Sequence, residues 1–150
     1  MQNYGQAALP FARKEIGVKE HPPNSNDGPR VEVLRNGKGP EPWCADFVEW
    51  CLERAGWARP TFNWSYCTSW VAATRACVAG MRFLARSERP APGDVAAFDW
   101  PADSFADHLC LIPYVVSLIL LPLSTGYLAI APLSPRGQSL ANLSHRHLTP

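Results

Sequence analysis

The fold of this 150-residue chain is decided by the stretch Pro42-Trp43-Cys44-Ala45-Asp46-Phe47-Val48-Glu49-Trp50-Cys51-Leu52-Glu53-Arg54-Ala55-Gly56. Proline favours the start of a helix and glycine its end, so the stretch predicts a helix between them. Its apolar residues recur at helical spacing and share one face: Cys44, Phe47, Val48, Cys51, Leu52 and Ala55. The carboxylates Asp46, Glu49 and Glu53 fall on the opposite face. Cys44 is therefore predicted to lie in the first turn of an amphipathic helix, at the edge of its buried face.

Further helices are predicted on both sides of this stretch, and strands are predicted after them. A short helix is expected over about 9–16, with Pro10 in its first turn. A later helix, capped by Ser65, is expected to run to about Ala79, with Cys77 facing inward. Strands are predicted at 81–85, 95–100 and 108–112. Helices first and strands afterwards is the order of an α+β domain.

The composition limits the class of protein. Apolar residues make up 47% and charged residues 18%, which excludes a wholly disordered chain, and the length suits one domain. A net charge of +1 disfavours a nucleic-acid partner. The five cysteines include no Cys-x-x-Cys pair and are odd in number, which argues against a zinc ribbon and against a fully paired disulfide framework. We expect no cofactor and no metal.

A thiol in the first turn of a helix has a physical reason to be reactive. The free backbone N–H groups and the positive end of the helix dipole favour the thiolate over the thiol. With a basic neighbour, such a position lowers a cysteine pKa from about 8.5 to roughly 3.5–7.5. The same N–H groups, including that of Cys44, can hold the oxyanion of a tetrahedral intermediate. Cys44 is therefore the candidate nucleophile.

A cysteine nucleophile also needs a histidine that activates it and protonates the leaving amine. His21 lies in a proline-rich loop, and His145 and His147 lie near the end of the chain. His108 stands where a predicted loop meets a predicted strand, which is a rigid position beside a cleft. The sequence therefore favours the pair of Cys44 and His108.

Five stretches, in the right order, resemble the CHAP domains, the cysteine- and histidine-dependent amidohydrolases/peptidases of the papain-like superfamily. Each stretch alone is a weak signal, whereas five in register over about 100 residues are a strong one. The stretches are ARKEIGVKE at 12–20, NSNDGPRV at 24–31, WCADFVEWC at 43–51, PGDV at 92–95 followed by Phe98, and DHL at 107–109.

The resemblance implies that Cys44 matches the family nucleophile and His108 its base. The implied fold has N-terminal helices packed on a small antiparallel sheet. The implied activity is that of an endolysin-like amidase or endopeptidase, which cleaves amide bonds of bacterial peptidoglycan. Trp43, next to the nucleophile, is a weaker candidate for the substrate cleft.

The resemblance does not extend into the last 42 residues. All thirteen acidic residues lie at or before Asp107, and all six tryptophans at or before Trp100. We therefore divide the chain into a CHAP-like domain at 1–108 and an anomalous proline-containing segment at 109–150, which is uncharged up to Pro135. Four explanations stay open for that segment: a divergent pair of strands at 114–121 and 127–131, a membrane contact by 109–135, a poorly ordered appendage, or a change of reading frame after His108. The frame change is the most favoured and the membrane contact among the least, because prolines divide 109–135 into pieces too short to span a bilayer.

The third catalytic residue is unknown. In the family, the strand after the histidine supplies a Glu, Asp or Asn that orients the imidazole, and here the only such residue downstream is Asn142. An imidazole without that partner is less well oriented, so the rate is expected to fall. The alternative function is accordingly a catalytically impaired CHAP-like domain that binds wall peptide or is inactive.

Simpler interpretations apply to the remaining candidates. Cys51 is expected in the core, and no role is assigned to Cys67, Cys77 or Cys110. The run at 24–28 is expected to form a turn instead of a calcium loop, because it has one carboxylate in the wrong register. The N-terminus has no basic patch followed by an apolar run, so no signal peptide is expected. We expect synthesis in the cytoplasm, with access to the wall after release or by non-classical export.

Overall fold

Four helices precede a four-stranded antiparallel sheet in the part of the chain that the computed structural model describes, which is residues 2–85, 88–99, 106–114 and the backbone of 126–131. The helices are α1 (Tyr4–Lys14), α2 (Pro29–Leu34), α3 (Cys44–Arg54) and α4 (Cys67–Arg75), followed by a 3₁₀ turn at Val78–Gly80. The strands are β1 (Arg82–Phe83), β2 (Val95–Asp99), β3 (His108–Leu111) and β4 (Gly126–Ala131), arranged in the order β1-β4-β2-β3. The predicted α+β class, with helices packed on a small antiparallel sheet, is confirmed.

Helix α1 begins earlier than predicted. Asn3 caps it, because its side-chain oxygen accepts the N–H of Gln6 at 3.0 Å. Pro10 consequently lies inside the helix, where it has no N–H to donate, and the prediction that it occupies the first turn was wrong. The helix tolerates this loss because its buried face, which includes Ala8 and Leu9, packs against α3.

Helix α4 is shorter than predicted. Tyr66 is its N-cap position, and Ser65 is not the cap because its hydroxyl accepts a 2.6 Å hydrogen bond from Lys38 Nζ. The helix ends at Arg75, and Cys77 follows in the left-handed region with φ of 52°. Cys77 is exposed, so its predicted inward position was wrong.

Helix α3 lies between Pro42 and Gly56, as predicted, and Cys44 is its first residue. It packs against α1 and β3, and its apolar residues Val48, Cys51 and Leu52 are fully buried. These contacts set the start of α3 beside the start of β3.

The carboxylate face of α3 is covered as well. Asp46 and Glu49 are fully buried, because Lys38 Nζ donates to Asp46 Oδ1 at 2.5 Å and to Glu49 Oε2 at 3.3 Å. Arg59 donates to the other oxygen of Glu49 at 2.7 Å. Paired cations allow carboxylates to be buried that would otherwise stay in water.

Strand β4 lies between β1 and β2 in the sheet. Its Ile130 pairs with Phe83 on one side and with Val95 on the other. Of the two strands considered for the uncharged segment, 127–131 coincides with β4, whereas residues 115–121 lie outside the described residues. The division at residue 108 stays a prediction. Among the described residues, no helix has the length and hydropathy needed to cross a bilayer.

Candidate active site

Cys44 and His108 line one cleft. Cys44 is the first residue of α3, His108 is the first residue of β3, and their side chains are hydrogen-bonded. The cleft has a volume of about 600 Å³, and its walls come from α1, the loop before α2, the start of α3, and β3. Cys44 is half-buried and opens into this cleft. The structure thus brings together the two residues that the sequence selected.

The Cys44 sulfur lies among hydrogen-bond donors. The thiol of Cys67 contacts it with an Sγ–Sγ distance of 3.5 Å, and the His108 ring and the backbone N–H of Leu109 also donate to it. These bonds, with the one from Cys67 the largest, outweigh burial and lower the pKa of Cys44 from 9.0 to about 4. The sulfur is therefore a thiolate at neutral pH.

The N–H of Leu109 is available because β3 is an edge strand in the described sheet. The N–H of Ile112 bonds to the carbonyl of Asp94, so alternate residues of this strand bond toward β2. Leu109, which pairs with Ala97, is one of the intervening residues, so its N–H points to the free edge of the sheet. The start of α3 lies along that edge, so a backbone group that usually bonds to water here bonds to the thiolate.

His108 carries the complementary charge. Its hydrogen bond to Cys44 raises the pKa of the imidazole, and the thiolate charge adds to this effect, while burial lowers the pKa. The raised His108 pKa and the lowered Cys44 pKa describe a thiolate–imidazolium pair, the active form of cysteine hydrolases. The ring of Phe98 packs near the imidazole, with the two ring centroids 6.2 Å apart.

The start of α3 also offers donors for an oxyanion. In the described structure no side chain caps this end of the helix, and the N-cap residue is Trp43. The backbone N–H of Cys44 belongs to the first turn, where a helix supplies no partner for it. This group remains the predicted oxyanion donor.

Cys67 is a residue that the sequence reasoning missed. Its hydrogen bond to the Cys44 thiolate raises the pKa of the Cys67 thiol, and burial raises it further, so it stays protonated as a donor. Cys67 is the first residue of α4, and a second cysteine at a helix start was the available signal. Its contact with Cys44 depends on how the two helix starts pack.

Glu20 is a second residue that was missed. Trp43 lines the cleft, and its Nε1–H donates to Glu20 Oε1 at 2.9 Å. That bond, together with backbone N–H groups of the loop at 24–26, lowers the pKa of Glu20. Glu20 therefore presents a carboxylate at the cleft wall, and the loop at 24–28 forms a turn in which Asn24 and Asn26 have positive φ.

The other candidate residues lie elsewhere or have no assigned role. Cys51 is buried in the core, and burial raises its pKa to about 12. Cys110 lines the cleft, while His145, His147 and Asn142 lie outside the described residues. Within the described ranges, no group of three or more His, Cys, Asp or Glu side chains is arranged to hold a metal ion.

Strand β4, the described strand downstream of His108, does not supply the third catalytic residue that the family resemblance implies. Among the described strands, β3 pairs only with β2, and β4 lies on the far side of β2. The sequence of β4 is GYLAIA, which contains no carboxylate and no amide. The third catalytic residue therefore stays unassigned.

The family model of the CHAP domain matches residues 36–118, more than half of the chain. The chain belongs to the CHAP domain family. This match spans α3, α4 and β1 to β3, and it ends at residue 118, inside the segment without carboxylates. No curated protein and no solved structure matches the chain.

Membership of the CHAP family confirms the predicted fold type. It also gives the general activity, which at the level of the family is hydrolysis of amide bonds in peptidoglycan. The matched region contains Cys44, Cys67, His108 and Leu109, so the described hydrogen-bond donors to the thiolate all lie within it.

Proposed function

We propose that this CHAP domain is a cysteine amidase or endopeptidase that cleaves amide bonds of bacterial peptidoglycan with Cys44 and His108. The observation that carries the proposal is the hydrogen-bonded pair at the cleft, in which the pKa of Cys44 is lowered to about 4 and that of His108 is raised. A buried structural cysteine has the opposite shift, as Cys51 of the same helix does.

In the first half of the reaction, the Cys44 thiolate attacks the scissile carbonyl carbon. The carbonyl oxygen becomes an oxyanion, which the backbone N–H of Cys44 binds. His108, as imidazolium, gives its proton to the leaving nitrogen as the C–N bond breaks. The products of this half are a free amine and a thioester on Cys44.

In the second half, the thioester is hydrolysed. The now neutral His108 takes a proton from water, and the resulting hydroxide attacks the thioester carbonyl. The C–S bond breaks, the acid product leaves, and Cys44 returns as a thiolate beside the protonated His108. The ion pair that started the reaction is thereby restored.

A second function, a CHAP domain that binds wall peptide with little or no turnover, is favoured by one observation. Strand β4, the described strand downstream of His108, contains no carboxylate and no amide, so it does not supply the orienting residue that the family resemblance implies. In the proposed enzyme, the Cys44 thiolate helps to orient His108, because it accepts the ring N–H. The two functions differ in turnover and share the same cleft.

The test measures amines released from purified peptidoglycan by the wild type and by Cys44→Ala, His108→Ala and Cys110→Ala. Cys110 is the matched control, because it lines the same cleft and its pKa is raised by burial. We expect loss of release in the first two variants and retention in Cys110→Ala. Release that persists in Cys44→Ala would overturn the proposal, and binding of peptidoglycan without release by the wild type would support the second function.

A further inference from the structure

Two cysteines meet at the starts of two helices. The Cys44 Sγ and Cys67 Sγ atoms lie 3.5 Å apart, which is direct contact between the sulfurs. Each cysteine is the first residue of its helix, α3 or α4, and both helices are long enough to direct a positive end at this point. The contact joins chain positions that are 23 residues apart.

The two sulfurs are chemically unequal. Cys44 is the acidic partner and Cys67 the protonated one, because the hydrogen bond between them stabilises the charge on Cys44. A thiolate in contact with a thiol is the arrangement of a peroxidatic cysteine beside a resolving cysteine. The Cys44 sulfur is also open to the cleft, so a small oxidant can reach it.

We propose that Cys44 and Cys67 form a reversible disulfide when the protein meets a hydroperoxide. In the first step the Cys44 thiolate attacks the distal peroxide oxygen, and the O–O bond breaks. The sulfur becomes a sulfenic acid, and the other peroxide oxygen leaves as alkoxide or hydroxide. In the second step Cys67, losing its proton, attacks the Cys44 sulfur, and water leaves as the S–S bond forms. Two thiols are oxidised and one peroxide is reduced.

Among the described cysteines, Cys67 is the one placed to resolve the oxidised sulfur. Bond formation requires the two sulfurs to approach from 3.5 Å to about 2 Å, the length of an S–S bond. Cys51 points into the core from two turns further along α3, and Cys77 lies beyond the other end of α4. Cys110 lines the cleft, whereas the sulfur that contacts Cys44 Sγ is that of Cys67.

The disulfide would act on the site proposed above as catalytic, and in that respect it rests on the proposed function. It removes the thiolate that attacks the substrate, so hydrolysis stops until a reductant restores both thiols. It also protects the nucleophile, because a resolved sulfenic acid does not proceed to the irreversible sulfinic acid. The dithiol chemistry itself needs no peptidoglycan.

The experiment treats the whole chain with equimolar hydrogen peroxide at neutral pH and measures its intact mass and its non-reduced peptide map. We expect the wild type to lose about 2 Da, the two thiol hydrogens, and to yield a linked peptide pair containing Cys44 and Cys67. Dithiothreitol should restore both the mass and any amine-releasing activity. Cys77→Ser should behave as the wild type does, and Cys110→Ser should still form the disulfide between Cys44 and Cys67.

The variant without the resolving thiol should follow a different course. Cys67→Ser is expected to gain oxygen at Cys44 in steps of about 16 Da, and the gain beyond one oxygen should resist dithiothreitol. Oxygen gain at Cys44 in the wild type, or a disulfide that joins Cys44 to Cys110, would overturn the proposal without relying on any variant. Disulfide formation in a protein that releases no amine would overturn the proposed function alone.

Discussion

The Nε1–H of Trp43 donates a 2.9 Å hydrogen bond to Glu20 Oε1 and so joins the start of α3 to the loop before α2. Both residues line the cleft. The residue beside the proposed nucleophile therefore holds the loop that forms part of the cleft wall. Trp43 also meets Phe47 edge to face, with ring centroids 6.0 Å apart, which fixes the indole orientation.

Replacing Trp43 tests that positioning. Trp43→Phe keeps an aromatic ring and removes the donor, so we expect KM for peptidoglycan fragments to rise roughly twofold to tenfold with little change in kcat, the range for one lost hydrogen bond. Glu20→Gln is the control, because its amide oxygen can still accept from the indole. A fall in kcat at constant KM would instead assign Trp43 to the chemical step.

The pH dependence of thiol alkylation tests the ion pair. The pKa of Cys44 is lowered, so its thiolate exists above about pH 4 and is lost as the pH falls through that value. We expect iodoacetamide to label Cys44 at pH 5–6, and His108→Ala to shift the labelling curve upward. Labelling that begins only near pH 8.5, the ordinary cysteine value, would contradict the pair.

The pH profile of activity should have an acid limit and an alkaline limit, because hydrolysis needs both members of the ion pair. Hydrolysis requires the thiolate at the acid side and the imidazolium at the alkaline side. The pKa of His108 is raised, so its proton is retained above the ordinary histidine value and is lost as the pH rises further. A bell-shaped curve of kcat/KM is therefore expected, and a profile without an alkaline limb would argue against His108 as the proton donor.

Cys67 should set the acidity of Cys44. Its hydrogen bond is the largest cause of the lowered Cys44 pKa, so Cys67→Ala should raise that pKa, while Cys67→Ser, which keeps a donor, should raise it less. The alkylation curve of Cys44 measures both variants. Equal curves for the wild type and Cys67→Ala would show that the contact contributes nothing to the acidity.

The ion cluster of Lys38, Asp46 and Glu49 should contribute to stability. Lys38→Met leaves Asp46 and Glu49 without this cation, and we expect the free energy of unfolding to fall by about 3–5 kcal/mol, the range for breaking a buried pair. Urea unfolding followed by tryptophan fluorescence measures the change. Arg82→Met, which breaks an exposed pair with Glu88, is the control and should cost less than about 1 kcal/mol.

The contact between α1 and the turn before β2 leaves no room for a side chain. A Cβ at Gly5 would lie 2.1 Å from the carbonyl oxygen of Gly93, so backbone would have to move. Gly5→Ala is expected to lower the free energy of unfolding by about 1–3 kcal/mol, as overpacking does. Gly39→Ala, where a Cβ would meet nothing within 4 Å, should be nearly neutral in the same urea titration.

Local patterns predicted the elements better than their ends. The helix between Pro42 and Gly56 was predicted because periodicity and stop signals coincide there. The start of α1 was misplaced because Asn3 caps the helix before its predicted start. The end of α4 was misplaced because Cys77 has a left-handed backbone conformation, which residues other than glycine rarely adopt. The burial of Asp46 was also missed, since its cation comes from Lys38, outside the helix.

The order of residues alone determined that Cys44 begins a helix, that His108 begins a strand, and that the domain is α+β, because periodicity and turn formers act over a few neighbouring residues. Tertiary structure alone decided that the thiol of Cys67 and the edge N–H of Leu109 meet the Cys44 sulfur. Those contacts join residues far apart in the chain, and they exist only because α3 packs against α4 and β3 at the same point.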